Sequence, residues 1–172
     1  IEVNAVVNCH DDCHEGSDND GKSTALHIAS KKGNKAVVKW LIQHGADVNM
    51  RAEGSKSAIQ LAVSNGKDGV VFELLKCKDI DLTCLDTDGN SLLHQVNMCR
   101  YSDVIAKELL GRNCNVRHRN RKGHTPIMCV FQQFLLDGSL KFNESEGSHD
   151  KLLAVLLKNG ADVDDEIEEC VQ

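Results

Sequence analysis

Residues 24–49 read TALHIASKKGNKAVVKWLIQHGADVN, and this stretch decides the fold of the chain. It contains two short apolar segments, each followed by a glycine, Gly33 and Gly45. Glycine commonly ends a helix, because it adopts the left-handed conformation without the steric penalty of a Cβ atom. We therefore expect two short helices that bury Leu26, Ile28 and Ala29 in the first and Val37, Val38, Leu41 and Ile42 in the second. Such helices cannot hide their apolar faces alone, so similar pairs should stack on them.

Three further copies of this pattern follow along the chain. Residues 24–27, 57–60, 91–94 and 125–128 align with steps of 33, 34 and 34 residues. The leucine-rich second helices repeat in step, and the Gly-Ala-Asp-Val of residues 45–48 recurs at residues 160–163. A period near 33 residues with an opening similar to Thr-Pro-Leu-His resembles the ankyrin repeat.

The resemblance implies an all-α fold, an ankyrin-repeat solenoid of stacked antiparallel helix pairs with β-hairpin fingers between them. It covers residues 24–164, with repeats expected near 24–56, 57–90, 91–124 and 125–164 and an insertion near 134–148. Residues 1–23 should hold the end of a preceding repeat and a long acidic loop, and residues 165–172 an acidic tail. Since residues 2–4 match residues 47–49 closely and there is no initiator methionine, we expect a fragment of a larger protein.

The histidine of the opening motif is expected to be structural. In the ankyrin family it hydrogen-bonds within its turn and to the adjoining turn, and His27 and His94 match it. Gln60 and Met128 replace it in the second and fourth repeats, so those turns should be less regular. Trp40, the single tryptophan, is expected to pack on the outer face of its helix, with an interface anchor as the alternative.

Composition limits the classes of partner and compartment. The net charge of −6 argues against nucleic acid as the main partner, because phosphate binding requires a basic surface. The eight cysteines lack the spacing of a disulfide framework and are expected to be reduced thiols. Neither a signal peptide nor an apolar run of about 18 residues is visible, which favours the cytoplasm or nucleus and argues against a membrane partner.

The first loop contains a sequence that matches a phosphate-binding motif. Residues 16–23 fit the pattern Gly-x-x-x-x-Gly-Lys-Ser. A phosphate loop needs a buried strand directly before it, whereas residues 9–15 are wholly polar. Asp18 and Asp20 would also bring carboxylates among the phosphate oxygens, so we predict no nucleotide and no other cofactor.

The same loop contains four candidate zinc ligands, Cys9, His10, Cys13 and His14. Structural zinc sites usually draw two ligand pairs from separate segments, and four ligands within one hexapeptide fit a tetrahedron poorly. We therefore expect an exposed loop here and no metal site.

One loop is distinguished by its charge. The 13 residues 112–124 contain four arginines and a lysine but no acidic residue. In ankyrin proteins such loops form hairpin fingers, which together with the first helices make the recognition surface. The candidate partner-binding residues are therefore Arg117, His118, Arg119, Arg121, Lys122 and His124, together with Arg51 and Lys56 of an earlier finger. The alternative is a solvated turn that balances nearby acids.

No set of residues suggests an enzyme, since the pattern offers no pocket with a converging acid, base and oxyanion donor. The resemblance implies a protein-interaction module, a scaffold, adaptor or regulatory domain whose partner is another protein with an acidic surface. Two other roles remain open. One is an inhibitor of a transcription factor, similar to the inhibitor-of-κB family or a viral mimic of it, and the other is a ligand-sensing domain that regulates an attached enzyme.

Overall fold

The structure is a computed structural model that describes residues 2–8, 22–52, 56–137 and 148–161. The chain forms two compact units, residues 1–87 and residues 88–172. The first unit contains strands β1 (Val6–Asn8) and β2 (Lys22–Thr24) and helices α1 (Ala25–Lys32), α2 (Lys35–Gln43), α3 (Ala58–Ser64) and α4 (Asp68–Leu74). The second contains α5 (Leu92–Gln95), a 3-10 helix (Val96–Met98), α6 (Ser102–Gly111), α7 (Pro126–Asp137) and α8 (Ser148–Lys158).

Helix pairs stack within each unit. In the first unit α1 packs on α2 and α3, while α4 packs on α2 and α3. In the second unit α5 packs on α7, and α8 packs on α6 and α7. The predicted all-α fold of stacked helix pairs is therefore confirmed. None of the helices in the described ranges is long and apolar enough to cross a bilayer.

The core is aliphatic and lies between the helices, as the repeat pattern predicts. The equivalent leucines of the second helices are all buried: Leu41, Leu74, Leu109 and Leu156 are 5%, 0%, 0% and 0% exposed. Burying large aliphatic side chains is the main stabilising term available to a chain with so few aromatic rings. Of the residues predicted to be buried in the first repeat, Val37 is an exception, because it is 40% exposed.

The first contact of the opening turn is kept in the repeats that lack the histidine. The backbone N–H of Thr24 donates to His27 Nδ1 at 3.3 Å, and that of Ser57 donates to Gln60 Oε1 at 2.9 Å. In the second repeat a glutamine oxygen thus replaces the imidazole nitrogen as acceptor, so the first hydrogen bond of the turn is kept. Even in the fourth repeat, Met128 Sδ lies 3.5 Å from the N–H of Thr125.

The fingers are less strand-like than predicted. β1 and β2 form an antiparallel hairpin in which Val6 pairs with Thr24. The next finger keeps a single bridge between Arg51 and Ser57. Residues 112–124, all of them described, contain no strand. The prediction of a β-hairpin there is wrong, because the backbone of that loop bonds to a neighbouring loop and across a tight turn.

Candidate protein-interaction site

The candidate site is the loop of residues 117–124, which we call the basic finger. Exposure alternates along its first half. Arg117, Arg119 and Arg121 are exposed, whereas His118 and Asn120 are half-buried. The arginines therefore present their charges to solvent while the intervening side chains hold the loop in place.

The half-buried side chains attach the basic finger to residues 88–90, the preceding finger. His118 Nε2 lies 3.0 Å from the carbonyl oxygen of Gly89, and Asn120 Nδ2 donates to Asn90 Oδ1 at 2.7 Å. The backbone N–H of Arg121 donates to the carbonyl of Asp88 at 2.9 Å. Three contacts thus hold two loops together that are about 30 residues apart in the chain.

Gly89 makes this close approach possible. Its φ is +77°, a conformation that side-chain-bearing residues rarely adopt. A Cβ atom at Gly89 would also lie 3.2 Å from the backbone nitrogen of Arg121, which is tighter than an ordinary contact. The glycine therefore serves both the turn and the loop-to-loop contact.

The tip of the basic finger is fixed by Asn120. Its Oδ1 accepts hydrogen bonds from the backbone N–H groups of Lys122 and His124, at 2.9 and 3.0 Å. Its own backbone N–H donates to the carbonyl of His124 at 2.9 Å. A side chain that satisfies several backbone donors in this way replaces the hydrogen bonds of a strand.

The two histidines of the basic finger lie close to the histidine that opens the third repeat. His94 accepts from the backbone N–H of Ser91 through Nδ1 at 3.2 Å, so its Nε2 carries the proton and donates to the carbonyl of His124 at 3.0 Å. The ring of His118 stands edge-on to that of His94, with centroids 5.7 Å apart. Of the two predicted partner-binding histidines, His118 thus stabilises the finger through its ring and His124 through its backbone carbonyl.

The three arginines of the finger do not act alike. Arg117 Nε donates to the carbonyl of Gly160 at 2.6 Å, so this residue ties the finger to the end of the fourth repeat. Arg119 Nη1 donates to the carbonyl of Gly123 at 2.8 Å, across the turn of the finger. Arg121 and Lys122 are exposed at the tip. The outward charge of the finger is therefore concentrated at residues 119–122.

Arg51 and Lys56 lie in the first unit. Arg51 Nη2 forms an ion pair with Asp81 Oδ2 at 3.2 Å, and the two side chains are 43% and 40% exposed. The pKa of the Asp81 carboxyl is lowered, first by hydrogen bonds from Thr83 and then by Arg51. Lys56 is half-buried, and its carbonyl accepts from the N–H of Ala52 at 3.0 Å. An exposed ion pair contributes little to stability, so Arg51 remains a candidate residue for contact with a partner.

The candidate zinc ligands Cys9, His10, Cys13 and His14 lie outside the described residues, as do residues 16–21 of the phosphate-loop match. Lys22 and Ser23 of that match belong to β2. Within the described ranges, no three potential ligands come together in a group that could hold a metal ion.

The structure also shows exposed apolar side chains, of which only Trp40 was singled out from the sequence. Met98, Tyr101 and Val104 are 55%, 50% and 45% exposed at intervals of three residues. Trp40 is 46% exposed and stacks on the ring of His44, with centroids 3.9 Å apart. The equivalent residues of the second and fourth repeats, Glu73 and Val155, are buried, whereas Glu108 of the third repeat is exposed.

Comparison with known proteins identifies the repeats. Residues 3–86 match the family model described as ankyrin repeats in three copies. A homolog of transient receptor potential cation channel subfamily A member 1 from Caenorhabditis elegans is 28% identical over 106 residues, which cover 62% of this chain and 9% of that protein. Ankyrin repeat protein OPG189 of Variola virus is 28% identical over 93 residues, 54% of this chain and 16% of that protein. The human Inhibitor of Bruton tyrosine kinase is 30% identical over 121 residues, 63% of this chain and 9% of that protein.

The matched segment thus spans only 9% to 16% of the length of these relatives. Ankyrin repeats are protein-interaction modules, and domains built from them are generally non-catalytic. The family match of residues 3–86 agrees with the stacked helix pairs and with the histidine-centred turns described above. On these grounds the chain contains ankyrin repeats, which the family model matches over residues 3–86.

Proposed function

We propose that this chain is a scaffold or adaptor module that binds a protein with an acidic surface through the basic finger. One observation carries the proposal: the finger exposes Arg119, Arg121 and Lys122 on a backbone that is already held by its neighbours. Arginine suits carboxylates, because its planar guanidinium can donate two parallel hydrogen bonds to one carboxylate.

The rigidity of the finger adds to this argument. A loop that must be ordered on binding loses conformational entropy at that moment, whereas a preorganised loop does not. The bonds of His118 and Asn120 to residues 89 and 90 order the finger in advance. A fixed cluster of positive charge can then steer an acidic partner, even though the chain as a whole carries a net charge of −6.

The test begins with the wild-type chain as bait for affinity capture, followed by identification of the retained protein. Its association with wild type is then compared with that of a double variant, Arg119→Glu with Arg121→Glu. We expect the variant to associate more slowly and with a weaker dependence on salt, because steering charges act mainly on the encounter rate. Melting should change little, since exposed charges contribute little to stability.

A matched control reverses two exposed lysines of the first unit, Lys32→Glu with Lys78→Glu, and changes the net charge by the same amount. If both double variants slow association equally, the effect comes from net charge and the proposal is wrong. An unchanged rate and salt dependence in the finger variant would show that the finger is a solvated turn.

The same preparation separates the other two roles. Competition between the chain and DNA for a transcription factor would favour an inhibitor. One relative, the human Inhibitor of Bruton tyrosine kinase, is itself named as the inhibitor of a kinase. A rise in melting temperature on adding inorganic phosphate or a nucleotide, lost in the finger variant, would favour a ligand sensor.

A further inference from the structure

The first repeat exposes side chains at positions that the later repeats bury. Val37 is 40% exposed, whereas the equivalent residues Val70, Ile105 and Leu152 are 1%, 0% and 0% exposed. On the first helix, Ala25 is exposed, whereas its equivalents Ala58, Leu92 and Pro126 are buried. The first repeat therefore exposes a face that includes residues of both of its helices, whereas the later repeats bury the equivalent residues.

Contacts in the first unit show what this face meets in a later repeat. α3 packs on α1 and α4 packs on α2. Gly69, next to Val70, is so close to α2 that a Cβ atom there would lie 3.5 Å from Lys35 Cδ. The face that holds Val70 in the second repeat is therefore the face turned toward the preceding helix pair. Val37 and Ala25 occupy the same face of the first repeat.

Residues before the first repeat already behave as the end of another repeat. Asn49 Oδ1, at the end of the first repeat, accepts from the backbone N–H of Asp81 at 2.8 Å. Asn4 Oδ1 accepts from the backbone N–H of Asp47 at 2.9 Å. Asn4 thus bonds to the first repeat in the same way as Asn49 bonds to the second repeat. Strands β1 and β2 form the hairpin that connects Asn4 to the first repeat.

We propose that the face formed by Ala25, Val37 and Trp40 is a stacking surface for the helix pair of an ankyrin repeat joined directly before Glu2. That helix pair covers Val37 as α2 and its neighbours cover Val70. Trp40 extends the apolar surface by one helical turn from Val37 and is stacked on His44. The surface is apolar at its centre and has exposed lysines, Lys35 and Lys39, beside it, so acidic residues on the incoming helices suit its edge.

The test joins one designed ankyrin repeat without tryptophan to the chain immediately before Glu2. Because Trp40 is the single tryptophan, its emission reports directly on this surface. We expect the joined repeat to shift the emission to shorter wavelength, to reduce quenching by acrylamide, and to raise the urea midpoint. Val37→Lys should reverse most of these changes in the joined chain and should have little effect in the chain without the added repeat.

Val104→Lys is the matched control, because Val104 is a similarly exposed valine, at 45%, on the outer helix α6. It should affect the chain equally with and without the added repeat. Three results would overturn the proposal: no change in Trp40 emission on joining the repeat, an equal effect of Val37→Lys in both chains, or equal effects of the two lysine variants. Concentration-dependent dimerisation in sedimentation, lost with Val37→Lys, would assign the surface to a second copy instead.

Discussion

Gln60 accepts a hydrogen bond from the backbone N–H of Ser57 at 2.9 Å, the same bond that His27 makes to Thr24 at 3.3 Å. The two side chains differ in what their other end does. His27 Nε2 donates to the carbonyl of Met50 at 2.9 Å, whereas Gln60 Nε2 is buried and has no hydrogen-bond partner among the described residues. Glutamine therefore preserves the start of the helix but not the link to the next turn.

The first prediction concerns this link and its pH dependence. His27 is 1% exposed, and burial lowers the pKa of its imidazole below the usual value. The imidazole therefore takes up a proton near pH 6.5 in the unfolded chain but only at lower pH in the folded chain. The contribution of His27 to the free energy of unfolding is complete above about pH 6.5 and is lost as the pH falls below that value. We expect His27→Gln to weaken the loss of stability between pH 8 and pH 5 in urea melts.

The same variant should cost about 0.5–1.5 kcal/mol at pH 8, the usual contribution of one hydrogen bond. His44→Gln is the control, because His44 lies exposed just after the end of α2, where its Nδ1 is 2.7 Å from the carbonyl oxygen of Trp40 and its ring stacks on that of Trp40. An identical pH profile for wild type and His27→Gln would contradict this account of His27.

The second prediction concerns the stacked leucines. Leu74 is fully buried between the helices of the first unit. Leu74→Ala should lower the free energy of unfolding by about 2–5 kcal/mol, because it removes apolar contacts and leaves a cavity. Leu157→Ala should cost far less, since Leu157 is 44% exposed. Urea denaturation followed by circular dichroism measures both, and equal losses would show that the two positions are packed alike.

The third prediction concerns thiol reactivity. Cys84 is 1% exposed, and burial raises the pKa of its thiol above the usual value. The thiolate is the reactive form, so Cys84 should resist iodoacetamide in the folded chain and react readily in urea. Cys77 and Cys114 are half-buried cysteines and should react sooner. Peptide mapping by mass spectrometry gives the order, and early labelling of Cys84 would contradict its burial.

The fourth prediction concerns the preorganisation of the basic finger. Asn120→Ala removes the bonds to Asn90, Lys122 and His124. Hydrogen exchange at the amides of Lys122 and His124 should become much faster, because the side chain that accepts from them is gone. Lys122→Ala, which keeps Asn120, is the control and should leave the amide of His124 protected. Fast exchange of His124 in wild type would show that the finger is not held in advance.

Much of the fold could be predicted from local pattern. The period of 33–34 residues, the helix pairs and the glycines after the first and fourth pairs, Gly45 and Gly160, are visible in short windows, because helix periodicity and left-handed glycine are local properties. The first bond of the turn at Gln60 was not expected from the sequence, although a glutamine oxygen can accept the same backbone hydrogen bond as an imidazole nitrogen. The exposure of Val37 was missed as well, because exposure depends on which repeats lie beside it.

The candidate site, too, was predictable from the sequence only in part. The sequence by itself determined that this chain is a stack of helix pairs, and that a run of arginines lies between the third and fourth pairs. Only the tertiary structure decided how those arginines are used, because their partners are distant in the chain. Arg117 binds the carbonyl of Gly160, 43 residues away, and His118 binds that of Gly89, 29 residues away. Packing of one loop on another selects which charges remain at the surface, and no local pattern encodes that choice.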